Sequence, residues 1–180
     1  MRTVNRLLLA ISMCCLIATA NASPLNDAKA ASAKGDYAQA LKILRPLAVQ
    51  GNADGQTTLG VMYVKGQGVT RDYQEALRWF RLAAAQEYAP AQNNIGGMYY
   101  QGLGVTKNDQ EAFKWFRLAA AQGEPLAQNS IGGMYYYGLG VTKNFQEALR
   151  WFRLAAAQGN VDAQNSVDGM HHLGQGVTQD

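Results

Sequence analysis

The sequence predicts an all-α solenoid of tandem helical hairpins with a 36-residue period, and three observations carry that prediction. Trp79, Trp115 and Trp151 stand 36 residues apart, and Gly68, Gly104, Gly140 and Gly176 keep the same step with no insertion between them. A fixed period between about 20 and 50 residues marks an array of stacked supersecondary units. Within each period, apolar residues recur at helical spacing in two separate stretches. A Gly-x-Gly-Val-Thr segment, such as Gly102-Leu103-Gly104-Val105-Thr106, lies between them and lets the chain turn back.

The chain has 180 residues, of which 48% are hydrophobic and 16% charged, a composition that places it among folded proteins and predicts one domain. Residues 1–22 read as a signal peptide: Arg2 and Arg6 precede an apolar run from Leu7 to Ala20, which closes on Ala20-Asn21-Ala22. The run falls short of the roughly 20 apolar residues that span a bilayer, so no stable membrane insertion is expected after cleavage. Cys14 and Cys15 both lie inside it. The chain expected from Ser23 onward therefore has no cysteine, which excludes disulfides and thiol catalysis. Without Arg2 and Arg6 the basic count falls from 16 to 14 against 13 acidic residues, and the formal charge drops from +3 to +1. A balance this close to neutral leaves no electrostatic footprint for nucleic acid. The expected destination is exported, periplasmic or secreted, in a bacterium.

Residues 23–52 form a divergent N-terminal hairpin that caps the array. An Ala-rich helix over 25–34 stops at Gly35, and a second begins after Asp36. Asp36 with Gln39 has the form of a capping box, in which the first side chain accepts from an early backbone N–H and the second reaches back. The device recurs at Asp72 with Glu75, Asn108 with Glu111 and Asn144 with Glu147. Pro46, inside the early helix, removes a donor to the Lys42 carbonyl and predicts a kink.

Three full repeats follow at 53–88, 89–124 and 125–160, with a partial one at 161–180. First helices are predicted over 53–65, 89–101, 125–137 and 161–173, and second helices over 72–86, 108–122 and 144–158. On the second helix, Tyr73, Ala76, Leu77, Phe80 and Ala84 make one buried face, which Trp79, Leu82 and Ala83 widen, leaving Arg78 and Arg81 outward. On the first helix, Ala91, Ile95, Met98 and Tyr99 form the packing stripe, and Gly96 permits close approach of a neighbour. Short helices are marginal alone, so stacking of repeat on repeat must stabilise them.

The run LAQNSIGGMYYYGLGVTKNFQEALRWFRLAAAQG, with its near copy one repeat earlier, resembles the Sel-one-like repeat, a relative of the tetratricopeptide repeat. A Gly-x-Met-Tyr helix, a Gly-x-Gly-Val loop and a Glu-Ala-x-x-Trp-Phe helix carry the resemblance, strongly over 53–159 and weakly outside. The resemblance implies a right-handed α/α superhelix that serves as an adaptor or binding scaffold for other proteins. Some secreted members are cysteine-rich and linked to penicillin binding; this chain lacks those cysteines beyond its signal, so that activity is not carried over.

Candidate chemistry is sparse. The Gly-rich loop follows a helix rather than a strand and lacks the third Gly of a dinucleotide fingerprint, so it reads as a turn and no cofactor is expected. His171 and His172 lie near Asp168, and Asp168 with His172 has the i, i+4 spacing of two ligands, but a metal needs three or four, so no metal is assigned. No mature cysteine and no Ser–His pairing is evident, and no catalytic residue is assigned. Lys42/Arg45, Arg78/Arg81, Lys114/Arg117 and Arg150/Arg153 form a basic ladder that is either a surface for an acidic partner or a solvated face neutralised by Glu75, Glu111 and Glu147.

The sharper candidate is Asn93, Gly97 and Tyr100, repeated as Asn129, Gly133 and Tyr136, on the side of the first helix away from Ile95 and Met98. Asn bonds a peptide backbone, Gly leaves it room and Tyr offers a flat apolar surface with a polar tip. Either these residues line a concave face that takes a protein or peptide, or the tyrosines pack between repeats. An exported non-enzymatic scaffold is the leading function. A cell-envelope enzyme or glycan (peptidoglycan) binder and a secreted effector adaptor are the alternatives. A monomer is expected, with self-association through the last helix as the other possibility.

Overall fold

The computed structural model describes residues 23–176; residues 1–22, expected to be a signal peptide, and the last four residues lie outside them. Among the described residues there are nine helices and no strand: α1 (Pro24–Ala33), α2 (Tyr37–Val49), α3 (Ala53–Lys65), α4 (Tyr73–Ala84), α5 (Ala89–Gln101), α6 (Asp109–Ala121), α7 (Pro125–Tyr137), α8 (Phe145–Ala157) and α9 (Val161–His172). The fold is an all-α solenoid. Each helix packs on its neighbours in sequence, and α3 also touches α5, the first helix of the next hairpin. No helix among the described residues is long and apolar enough to cross a membrane.

The caps act differently from a full capping box. The forward half is present: Asp36, Asp72, Asn108 and Asn144 accept from the backbone N–H three residues on, at 3.0 to 3.1 Å. The reverse half is not formed, because the cap residue's own N–H is already used. Asp72, Asn108 and Asn144 donate to the carbonyls of Tyr63, Tyr99 and Tyr135 on the preceding helix, at 3.1, 3.0 and 2.9 Å. Released from that task, Glu75, Glu111 and Glu147 turn forward to Arg78, Lys114 and Arg150. The loop between helices is thus tied at both ends by backbone bonds. Its second glycine serves two needs: Gly104 has φ +66°, and a Cβ there would lie 2.7 Å from that of Tyr73. Helix α2 runs continuously through Pro46, which falls in its last turn, where only the Lys42 carbonyl loses its bond.

The core lies between repeats as much as within them. Ala76, Leu77, Phe80 and Ala83 of α4 form one cluster with Ala91, Ile95 and Met98 of α5, the first helix of the next repeat. The pattern returns with α6 and α7, and with α8 and α9. Inside each hairpin the contact is glycine against a ring: a Cβ on Gly60, Gly96 or Gly132 would stand 2.6 to 2.7 Å from Phe80, Phe116 or Phe152. Leu82 departs from the expected buried face. It is 42% exposed, and Leu118 and Leu154 are 50% and 41% exposed. Two residues past Phe80, it is turned by about 200° and points nearly opposite the core.

A polar ladder runs through the array that the hydrophobic pattern does not reveal. Gln56, Gln92 and Gln128 are about 5% exposed. Their Oε1 atoms accept from the Nε2 of Gln86, Gln122 and Gln158, which follow the second helices, at 2.8 to 2.9 Å. Gln56 and Gln128 also donate to the carbonyls of Ala48 and Ala120, eight residues back, at 3.0 and 3.4 Å. One buried amide thereby joins three helices, and its polar atoms are satisfied. Gln164, the same position in α9, is exposed.

Candidate partner-binding groove

A cavity of about 460 Å³ opens on the side of the first helices, lined chiefly by α5, α7 and α9. Four of the six residues singled out from sequence meet there: Tyr100, Asn129, Gly133 and Tyr136. Asn93 and Gly97 sit one repeat further toward the N-terminus and do not line this cavity. The remaining wall comes from Phe152, Met170, Leu173 and a few others. Ser166 and Gly169 of α9 continue Ser130 and Gly133 by one more step of 36, so extending the period into the partial repeat locates them from sequence alone.

The glycines are the most informative members. Gly97, Gly133 and Gly169 occupy helix interiors, and a Cβ added at any of them would meet nothing within 4 Å. The adjacent Gly96 and Gly132 are needed to seat a phenylalanine; these three have no packing neighbour. A helix-interior glycine costs about 1 kcal/mol relative to alanine. The three positions therefore leave open space at a cost in stability, and two of them, Gly133 and Gly169, line the cavity.

Both tyrosines line the cavity but differ in exposure and packing. Tyr100 is 39% exposed, with Lys107 Nζ 5.6 Å from its ring centroid. Tyr136 is half-buried and packs within its own hairpin, edge-on to Tyr137 at 4.9 Å and tilted to Phe145 at 5.2 Å. It is Tyr135, the neighbouring residue, that reaches across repeats, making a T-shaped contact with Phe113 at 5.5 Å. The Oδ1 atoms of Asn93 and Asn129 are buried with no hydrogen-bond partner among the described residues. Such acceptors are uncommon in folded proteins, where buried polar atoms are generally paired.

The other sequence candidates are spread elsewhere. Arg78, Lys114 and Arg150 are ion-paired with the glutamates three residues before them, and Arg78 and Arg150 also lie over Trp79 and Trp151 at 4.2 and 4.3 Å. His171 Nε2 is 2.9 Å from Arg153 Nη2, and no three His, Cys, Asp or Glu side chains converge among the described residues. The residues lining the groove include no carboxylate, imidazole or thiol, the groups that general acid–base or nucleophilic chemistry most often uses. The shifted carboxyl and hydroxyl groups all lie outside the groove: the hydrogen bond from Arg78 lowers the Glu75 carboxyl. Burial raises the Glu124 carboxyl, and burial with the nearby Asp54 raises the Tyr88 hydroxyl.

Hairpins repeated at a 36-residue step, with a groove along their first helices, define the class of α-solenoid repeat proteins. The Sel1 repeat model matches residues 53–88, 89–124 and 125–160, more than half of the chain, and the chain belongs to the Sel1 repeat family. Proteins of this family generally act as protein-interaction scaffolds. Among solved structures, the chain is similar to c5321, a protective antigen of uropathogenic Escherichia coli with an SLR fold (38% identity, TM-score 0.77), over 86% of this chain and 34% of that one. It is also similar to a Sel1 repeat protein from Oxalobacter formigenes (35% identity, TM-score 0.76), over 87% and 64%. The chain thus spans about a third of the first and just under two-thirds of the second. The cysteine-rich protein B of Helicobacter pylori shares the fold at 20% identity, with a TM-score of 0.54, over 80% of this chain and 97% of that one. A search of curated proteins found no match.

Proposed function

We propose that this chain is an exported, non-enzymatic scaffold that holds an extended peptide segment of another protein along its concave, first-helix face. Three glycines kept open at a cost in stability carry this reading: Gly97, Gly133 and Gly169 have no structural neighbour to accommodate, so the room they leave is for something outside the chain. Asn129 and Gly133 lie together in the wall of the cavity beside that room. Tyr100 and Tyr136 supply amphipathic surface at low entropic cost. Export rests on the pattern of residues 1–22, with two arginines, an apolar run and a small-residue close.

The test is capture of peptides displayed on a membrane array by the chain beginning at Ser23, compared with the Tyr100→Ala plus Tyr136→Ala variant. The reading expects wild-type capture of a sequence-restricted set and weakened capture by the variant, with its helical circular dichroism retained. Equal capture by the two proteins, or collapse of the helical signal on removing groove residues, refutes it. Soluble peptidoglycan fragments run in parallel distinguish a glycan binder: saturable binding of fragments with no peptide capture would replace the peptide reading.

A further inference from the structure

Repeats 89–124 and 125–160 differ at only 8 of 36 positions. Two of those differences surround the same groove tyrosine. Tyr137 replaces Gln101 and Phe145 replaces Asp109, and both rings pack on Tyr136, at 4.9 and 5.2 Å. Tyr137 is 69% exposed, so this aromatic group forms the rim of the cavity rather than its floor.

The second change also alters a cation. Lys107, in the loop of the earlier repeat, lies 3.8 Å from Asp109 Oδ1, an ion pair within the loop. Lys143, its equivalent one period on, has Phe145 where that aspartate stood. Its Nζ lies 4.6 Å from the Phe145 ring and 6.0 Å from Tyr136, and it makes no ion pair among the described residues. The period that duplicates the lysine thus removes its counter-ion and puts an aromatic wall in its place. An ammonium above aromatic faces is attracted by their quadrupoles yet keeps its full positive charge for a ligand. Tyr136 lines the cavity beside this lysine, and the cavity wall is apolar there, with Phe152 and Met170.

We infer that this repeat is the specificity-determining part of the groove and selects an acidic peptide: an Asp or Glu whose carboxylate meets Lys143, close in sequence to an aliphatic or aromatic residue whose side chain enters the cavity on Tyr136 and Met170. The inference rests on the peptide-scaffold reading and narrows it. The cation next to Tyr136 fixes the sign of the charge, and the apolar cavity wall fixes the neighbour.

The experiment uses three fluorescein-labelled nonapeptides that share a central Leu-Phe pair, flanked on both sides by Glu, by Gln or by Lys. Anisotropy titrations against the chain from Ser23 are run at about 50 mM and about 300 mM salt, which straddle a Debye length of roughly 10 Å. The Glu peptide binds tightest, about tenfold better than the Gln peptide at low salt, and loses most of that margin at high salt. Lys143→Gln removes roughly three- to tenfold of affinity for the Glu peptide and little for the Gln peptide. Lys143→Glu reverses the order of the Glu and Lys peptides. Lys107→Gln has a smaller effect, because that cation already has Asp109, and Arg117→Glu on the second-helix surface has none. Lys143 is exposed, so each of its variants folds. Equal binding of Glu and Gln peptides, abolished by Tyr100→Ala plus Tyr136→Ala, overturns this inference and leaves the scaffold reading standing. Losses of equal size from Lys143→Gln, Lys107→Gln and Arg117→Glu overturn it as well, since net charge then explains them. Failure of all three peptides to bind up to about 1 mM, a free energy near −4 kcal/mol, overturns both.

Discussion

Two adjacent glycines in one helix should respond to the same substitution with opposite signs. Replacing either Gly96 or Gly97 by alanine improves helix propensity by about 0.8–1.0 kcal/mol. At Gly97 nothing opposes that gain, since the new methyl meets nothing within 4 Å, and Gly97→Ala should stabilise by nearly the whole amount. At Gly96 the methyl would lie 2.7, 2.8 and 3.0 Å from Cδ1, Cε1 and Cγ of Phe116. That ring is 5% exposed in a packed cluster, so it has little freedom to retreat. Overpacking of this kind costs about 1–3 kcal/mol. The net expectation is a loss of up to about 2 kcal/mol, so the neighbours should differ by roughly 1–3 kcal/mol. Urea unfolding followed by helical circular dichroism measures it, with the denaturant slope checked for constancy because repeat arrays can unfold in parts. For a chain of this size, each kcal/mol corresponds to about 2–4 °C in melting temperature. If Gly96→Ala is as stable as Gly97→Ala, the hairpin does not depend on glycine–phenylalanine contact. If Gly97→Ala is destabilising, the glycine has a structural role and the argument for an open groove fails.

Other expectations follow from comparing equivalent positions. Asn52 and Asn160 cap α3 and α9 through their side chains, at 2.7 and 2.8 Å, whereas Glu124 makes no such bond to α7. Glu124→Asn should therefore stabilise by about 1 kcal/mol. Its benefit should grow with pH: the folded-state Glu124 pKa is raised by burial, so its contribution is greatest below the unfolded value of 4.5 and is lost as pH rises through the folded value. Denaturation at several pH values checks this, and a benefit larger in acid than at neutrality contradicts it. Gln128→Ala, which breaks a three-helix junction, should cost about 1–3 kcal/mol, and Gln164→Ala, exposed and lacking a third helix among the described residues, within about 0.5 kcal/mol. Equal losses in a denaturant titration would remove the ladder's importance.

Helix α9 matches the earlier first helices on one face and differs from them on the other. Ala163 and Met170 are fully buried against α8, so α9 completes the last inter-repeat core. Its outer face is different. Asp168 stands where Gly60, Gly96 and Gly132 receive a phenylalanine, and any side chain there collides with such a ring. The same helix closes one inter-repeat core and lacks the glycine that seats a phenylalanine in the three earlier hairpins.

The 36-residue step, the hairpin boundaries, the cap positions and the alternation of core and surface were legible from the amino-acid sequence, because capping, helix periodicity and turn glycines act over a few residues and repeat with the chain. The choice of Asn129, Gly133 and Tyr136 was also within reach, since they share one helix face. Tertiary structure decided the rest. The cap N–H groups go to tyrosine carbonyls nine residues back, so the glutamates pair with cations instead of closing a box. The glutamine junctions, and the contrast between Gly96 held against a ring and Gly97 held against nothing, exist only once helices from three hairpin positions meet. A helix face follows from local spacing, but which part of that face is covered depends on the angle at which repeat stacks on repeat. That angle is set by contacts between residues some 20 to 36 positions apart, which is why the groove belongs to the fold and its lining to the sequence.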